Sequence, residues 1–398
     1  MPIQDKRYFN DEQIADIRSR YRVERTVDEA LTWKLQRRRG DDYILATEEE
    51  LFTRLQGFLA SRLDGEFEVF DLSRVPGGGS KEMFKFKLKQ GEQTRGLILR
   101  MNPGESIVET HRLREFQVIA AMKGVVPVPD VFWVDVDGSE LGSGAMICGF
   151  VEGVAKPSEP TGGGGAVSGI GSGFPQPLRE KLSGPFVEHL VAIHQFDWRN
   201  ADLSSLDVPR AHTLEVSEWC LDHWSRVWEE DSFEPHPVMA LARNWLKENM
   251  PVTEEIRVIH NDYRNGNFMF DERSGEITAI LDWELARLGD IHEDLAWVLF
   301  PGFSSPDESG KPMVCGLLSR ESFIERYEQL SGNKIDQQRL HYYTIMNLYK
   351  LAVLGYASNV RAASDRQTHL DVMMNLSAGL GCSSVGGLYQ LMTQQEAC

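Results

Sequence analysis

Hydrophobic and polar positions alternate strictly from Met83 to Lys89: Phe84, Phe86 and Leu88 share one face, Lys85, Lys87 and Lys89 the other. A period of two predicts a half-buried antiparallel strand. Phe67–Leu72 and Gly96–Met101 read as flanking strands, with turns at Pro76–Ser80 and Gln90–Glu92. Upstream, Leu51, Leu55, Phe58 and Leu59 recur at helical spacing and predict an amphipathic helix over 47–62. Downstream, the capping-box pattern Ser106-x-x-Glu109 predicts a helix running from there to Gly124. Pro127 and Pro129 then break the chain before strands at Val131–Val136 and Ala145–Phe150.

Beyond the glycine-rich stretch 162–173, which predicts neither helix nor strand, the periodicity turns helical. Helices are expected over 177–196, 213–230, 236–249, 290–300, 320–331, 336–362 and 366–380. One strand-rich island, 257–282, interrupts them. A β-rich block followed by a helical one predicts a two-lobed α+β protein. The units expected are an N-terminal helical extension (1–64), a small lobe (65–152) and a helical lobe (153–398). The charged residues 1–45, with Arg37-Arg38-Arg39, read as a solvated arm or short helices packed on a later domain; a partner-binding arm is the alternative.

Composition narrows the function. A formal charge of −18 over 398 residues argues against sequence-independent binding to nucleic acid or anionic lipid. No apolar run approaches a membrane span. The five cysteines are scattered and form no Cys-x-x-Cys pair, so the expectation is a reducing cytoplasm with no zinc site.

The chemistry concentrates in the island. Val258 to Phe270 reads VIHNDYRNGNFMF, and Ile277 to Glu284 reads ITAILDWE. A hairpin centred between Ser274 and Gly275 would set Asn267 opposite Asp282, with Asp262 in the loop leading in. An amide oxygen and a carboxylate are hard ligands that suit Mg²⁺. Each residue alone has a plainer reading, as a turn or cap.

Together, His260-x-Asp262…Asn267, Asp282-Trp283-Glu284 and Gly289-Asp290…Asp294-Leu295-Ala296 resemble the aminoglycoside phosphotransferase family. That family includes choline and ethanolamine kinase relatives and domains attached to some acyl-CoA dehydrogenases. The resemblance covers roughly 65–380 and implies a protein-kinase-like fold. It implies transfer of the γ-phosphoryl group of ATP, with Mg²⁺, to a hydroxyl of a small molecule. Asp262 would be the catalytic base, Asn267 and Asp282 the metal ligands, and His260 a brace. Arg264 would meet a phosphate or form a surface salt bridge. Asp290 would cap a helix and reach back to the catalytic loop.

In the small lobe, Gly77, Gly78, Gly79 and Ser80 would cover the phosphates; an ordinary hairpin turn is the alternative. Arg100 would stand where kinases carry a phosphate-binding Lys, paired with Glu115. Cys148 to Glu152, through Cys148 and Phe150, would form the connector that hydrogen-bonds adenine. The alternative function is a catalytically silent nucleotide-binding module of the same fold. Trp219, Trp224 and Trp228 are expected mainly in packing. The acceptor is not named by any motif.

Overall fold

The computed structural model describes residues 8–40, 44, 46–75, 81–161, 171–365 and 371–394. Residues 76–80 and 162–170, the two glycine-rich loops of the sequence reading, lie outside them. Two helices come first, α1 (Asp11–Arg20) and α2 (Arg25–Arg37). Then α3 (Glu48–Ala60), closed at its start by a Thr47–Glu50 capping box, lays Leu51, Leu55, Phe58 and Leu59 against the sheet.

The sheet is antiparallel, in the order β1-β2-β3-β5-β4. Its strands are β1 (Phe67–Arg74), β2 (Glu82–Gln90), β3 (Gln93–Met101), β4 (Val131–Asp135) and β5 (Ala145–Gly149), with α4 (Arg112–Met122) between β3 and β4. The alternation in β2 does what its period requires: Phe84, Phe86 and Leu88 are buried and Lys85, Lys87 and Lys89 exposed.

The helical lobe holds α5 (Gln176–Gln195), α6 (Glu215–Asp231) and α7 (Pro237–Glu248). The island follows as β6 (Arg257–Ile259), β7 (Phe268–Phe270), β8 (Ile277–Ile280) and β9 (Arg287–Gly289). After it come α8 (Ile291–Val298), α9 (Arg320–Ser331), α10 (Gln337–Ala352), α11 (Asn359–Ser364) and α12 (Asp371–Gln394). Just past the small lobe, Val154 and Phe270 of the island exchange hydrogen bonds of 2.9 and 3.0 Å. No helix among the described residues is long and apolar enough to cross a membrane.

Four expectations need correction. Helix α4 starts at Arg112, not Ser106. Only half of the capping box forms, Ser106 N–H to Glu109, because the Ser106 hydroxyl accepts from Lys81 instead. The helix expected over 336–362 is interrupted by a π turn, Val353–Ser358, which separates α10 from α11. The last helix runs on to Gln394. Glycines that weaken a helix in isolation allow close packing here: a Cβ on Gly381 would sit 2.5 Å from the Tyr356 amide.

The fourth correction is the register of the island hairpin. Phe268 pairs with Ile280 and Met269 with Ala279, and Leu281 N–H donates to Asn267 O, so Asn267 lies opposite Leu281, one residue short of Asp282. The turn closes at Asp271 and Glu276, with Gly275 at φ 74°, which centres it one residue earlier than the sequence suggested, and a bulge follows in β8.

The N-terminal segment is packed, and each arginine of its basic run has an internal partner. Arg37 reaches Glu109 and Gly104 O, and Arg39 pairs with Asp11. Arg38 is buried between Glu105 of the small lobe and Asp231 at the end of α6. Asp231 also accepts from Lys34 (2.7 Å) and from Ser358 in the π turn (2.8 Å). Burial alone would raise the Asp231 carboxyl, but Lys34 and Arg38 hold it well below the usual carboxylate range.

Replacing Arg38 with Met keeps the bulk, strands the buried Glu105 carboxylate and takes one of two cations from Asp231. Urea unfolding should show a loss of about 3–5 kcal/mol; a loss under about 1 kcal/mol would mean that the pairs contribute no net stability. Because the Asp231 value is depressed, its contribution is full above 3.8 and fades as pH falls below it. The Arg38→Met protein should therefore show a shallower acid slope.

Candidate functional site

Strand β6, paired with β9 through Ile259 and Arg287, delivers the chain to His260. The loop that follows is held from below by one carboxylate. Asp294, fully buried on α8, accepts the amide N–H of His260 (2.7 Å) and of Asn261 (2.5 Å). Burial would raise this carboxyl; the bonds from His194 and His260 keep it below the usual range. The reach back to the catalytic loop expected of Asp290 thus belongs to Asp294. Asp290 does cap α8, accepting from His292 N–H.

Asp262 is fixed through both carboxylate oxygens. Oδ1 accepts from Trp297 Nε1 (2.8 Å) and Arg264 Nε (3.1 Å), and Oδ2 accepts from Asn267 Nδ2 (2.6 Å). The Asn267 amide also donates to Asp262 O at 2.9 Å. Its carbonyl oxygen is left without a hydrogen bond among the described residues. Arg264 is buried against Phe303 rather than on the surface.

Asp282 ends the hairpin in the left-handed region, at φ 68°. Trp283, buried behind it, donates to Ile280 O and packs on the His260 ring. The Asp282 carboxylate faces the small lobe, where Arg100 Nη2 lies 2.9 Å away. Arg100 Nη1 is 3.0 Å from Glu115, which is fully buried and also meets Arg112 at 2.6 Å. Arg100 and Glu115 therefore stand together, as their strand and helix positions suggested. The Cys148 thiol is pushed up to about 11, by burial first, with Arg100 opposing and Glu115 adding. Phe150 donates its N–H to Gly96 O, so that amide is committed to the sheet, and its side chain is exposed. Gly77, Gly78, Gly79 and Ser80 fall outside the described residues.

The oxygens of Asn267 and Asp282 are a hard donor set. Among the described residues no cluster of three His, Cys, Asp or Glu is spaced to hold a metal by itself. Such a pair fits Mg²⁺, which completes its shell with water and phosphate oxygens.

Sequence reasoning passed over Trp297, Lys81, Lys350 and the role of Glu284. Lys81, just past the first glycine-rich loop, is buried on Glu284, Ser106 Oγ and Val108 O. Lys350 donates to Asn261. A signal did exist for two of them: Lys350 is a lone charge in the apolar run Leu348–Leu354, and Trp297 sits three residues past Asp294, one turn along the same helix face. The three tryptophans of α6 serve packing: Trp224 stacks on His223, Trp228 on Tyr356, and Trp219 lies under Arg22.

The His260 ring has one allowed protonation. Nδ1 accepts from the Asp262 amide (3.2 Å), so Nε2 carries the hydrogen given to Leu281 O (2.9 Å). Burial lowers its pKa, with Asp294 and Asp262 opposing. Imidazole ¹⁵N spectra should show the neutral Nε2–H form at and below pH 6.5. The unfolded chain takes the proton first, so the ring's contribution to stability is intact above 6.5 and declines as pH drops below it. A charged His260 ring at pH 7 would contradict this bonding.

Comparison with known proteins agrees with this geometry. The model of the Phosphotransferase enzyme family matches residues 71–341, more than half of the chain. Acyl-CoA dehydrogenase family member 10 of Mus musculus is 27% identical over 253 residues, 61% of this chain but only 21% of that protein. The chain thus spans about a fifth of that relative's length. A solved Ralstonia eutropha protein, described as a candidate aminoglycoside phosphotransferase, superposes with a TM-score of 0.59 at 21% identity, over 84% of this chain and 98% of that one. Plasmodium vivax ethanolamine kinase superposes at 0.52 with 14% identity, over 92% and 96%. At these identities the superpositions establish the protein-kinase-like fold, and with the family match they show that the chain belongs to the Phosphotransferase enzyme family.

Proposed function

We propose that the chain moves the γ-phosphoryl group of ATP, as its Mg²⁺ complex, to a hydroxyl of a small molecule. The observation that carries this reading is the doubly fixed Asp262 carboxylate beside an Asn267 Oδ1 that has no hydrogen bond among the described residues. Phosphoryl transfer needs little covalent help and much positioning. Asp262 accepts a hydrogen bond from the acceptor hydroxyl, aims its oxygen along the transfer axis and takes its proton. Asn267 Oδ1 and Asp282 are the residues that would hold Mg²⁺. When bound, the ion neutralises phosphate charge. Arg100 meets the α- and β-phosphates, and Glu115 keeps its guanidinium on station. An Arg here keeps the positive charge; with Nη1 on Glu115, it would turn Nη2 from Asp282 to phosphate as the nucleotide binds.

Gly77, Gly78, Gly79 and Ser80 would cover the phosphates with backbone amides. The connector after Cys148 would hold adenine, using groups other than the Phe150 amide. The acceptor is a small hydroxylated metabolite, with no nucleic acid or membrane partner. The cysteines Cys148, Cys220 and Cys315 are buried and unbridged, which suits a cytoplasmic setting.

Two experiments test the assignment. ATP should raise the melting temperature more with Mg²⁺ than with EDTA, and Asp282→Ala should remove most of that difference. Equal shifts in both conditions would exclude the metal role. For Asp262→Asn, turnover should fall roughly 10²–10⁴-fold. The KM for ATP should hardly move, because the lost interaction belongs to the transition state, while the melting temperature should drop modestly, because the new NH₂ faces the N–H donors of Asn267 or of Trp297 and Arg264. Turnover is read as ³²P transfer from γ-labelled ATP to the best acceptor in a panel of hydroxylated metabolites. A folded Asp262→Asn protein with normal transfer would refute the base.

A further inference from the structure

A fully buried lysine lies under the catalytic loop, and the chemistry described above does not use it. Lys350 sits on α10, far along the chain from Asp262. Its Nζ donates to Asn261 Oδ1 (2.7 Å) and to Asn261 O (3.1 Å), and lies 3.7 Å from the centre of the Trp297 ring. Its hydrogen-bonding capacity therefore goes to an amide, a carbonyl and an aromatic face. Asn261 has φ 65°, a left-handed backbone that non-glycine residues adopt only when their surroundings impose it. Trp297 is the residue whose indole N–H fixes Asp262 Oδ1.

We propose that Lys350 is a positioning residue: it imposes the left-handed turn at Asn261 and clamps the Trp297 indole, and so aims the Asp262 carboxylate from two sides. The proposal rests on the phosphotransferase reading. Asn261 precedes Asp262 directly, so its φ sets where the Asp262 Cα–Cβ bond points. The Trp297 plane sets where Oδ1 rests. Both are held by one ammonium. An ammonium over an indole face is attracted by the ring quadrupole, and more strongly when water is excluded.

The test compares Lys350→Met, Lys350→Arg and Trp297→Phe with the wild type. The readouts are transfer from γ-labelled ATP to the wild type's best panel acceptor, KM for ATP, and melting temperature. Lys350→Met should lower kcat about 10²-fold, the usual cost of misplacing a reacting group by about 1 Å. KM for ATP should stay within about twofold. Lys350→Arg, which keeps charge and donors, should regain at least tenfold of that loss. Trp297→Phe, which keeps the ring and removes the N–H, should also lower kcat at unchanged KM. Combined with Lys350→Met it should cost less than the product of the single effects, since both act through one carboxylate.

Normal kcat in Lys350→Met and Trp297→Phe would overturn the proposal. So would kcat and KM worsening together in step with lost stability, or no rescue by Arg. If the wild type labels no acceptor, the phosphotransferase reading falls and this proposal with it. An active wild type with indifferent variants removes this proposal alone.

Discussion

An ionised group can sit in a protein interior only if its partners are already in place. This chain depends on that constraint at every junction that matters. Asp294 is buried under two consecutive amides, Asp231 between a lysine and an arginine, and Glu115 between two arginines. Apolar packing brings the elements together. The buried charges leave little freedom in how they are oriented, because shifting one would strand another.

The consequence for the site is a continuous mechanical path. Helix α2 ties the loop before α4 to the end of α6 through Arg38, and Arg114 of α4 is held by Glu24. Helix α4 presents Glu115 to Arg100, and Arg100 presents a guanidinium to Asp282. On the far side, α8 carries both Asp294, which shapes the loop, and Trp297, which aims Asp262. The N-terminal extension, which lies outside the span of the family match, is thereby connected to Asp282.

Asp262 and Asp282 both adjoin left-handed backbone, at Asn261 and at Asp282 itself. Such residues persist only where neighbours over-determine them. Here the neighbours are Lys350 at the first and, at the second, buried Trp283 together with Glu284 on Lys81. The pattern places strain at the two points where, in the proposed reaction, the direction of a side chain would decide the chemistry.

The family resemblance, not spacing alone, put Arg100 beside Glu115; the sequence by itself determined the alternating sheet, most of the helices and the shared loop of Asp262 and Asn267. These follow from short-range periodicity and from motif spacing, which are written locally. Tertiary structure decided the rest. Only a closed turn at Asp271 and Glu276 could move the hairpin register by one residue. Only Lys81, arriving from another strand, could take the Ser106 hydroxyl and delay α4. Arg37-Arg38-Arg39 looks like a solvent-facing run until Glu109, Glu105, Asp231 and Asp11 are placed around it. The register shift is set by a local backbone turn that the side-chain pattern does not record, whereas the other two share one physical reason. A hydrogen bond or ion pair between residues far apart in the chain leaves no periodic trace, and it outweighs local preference once water is excluded.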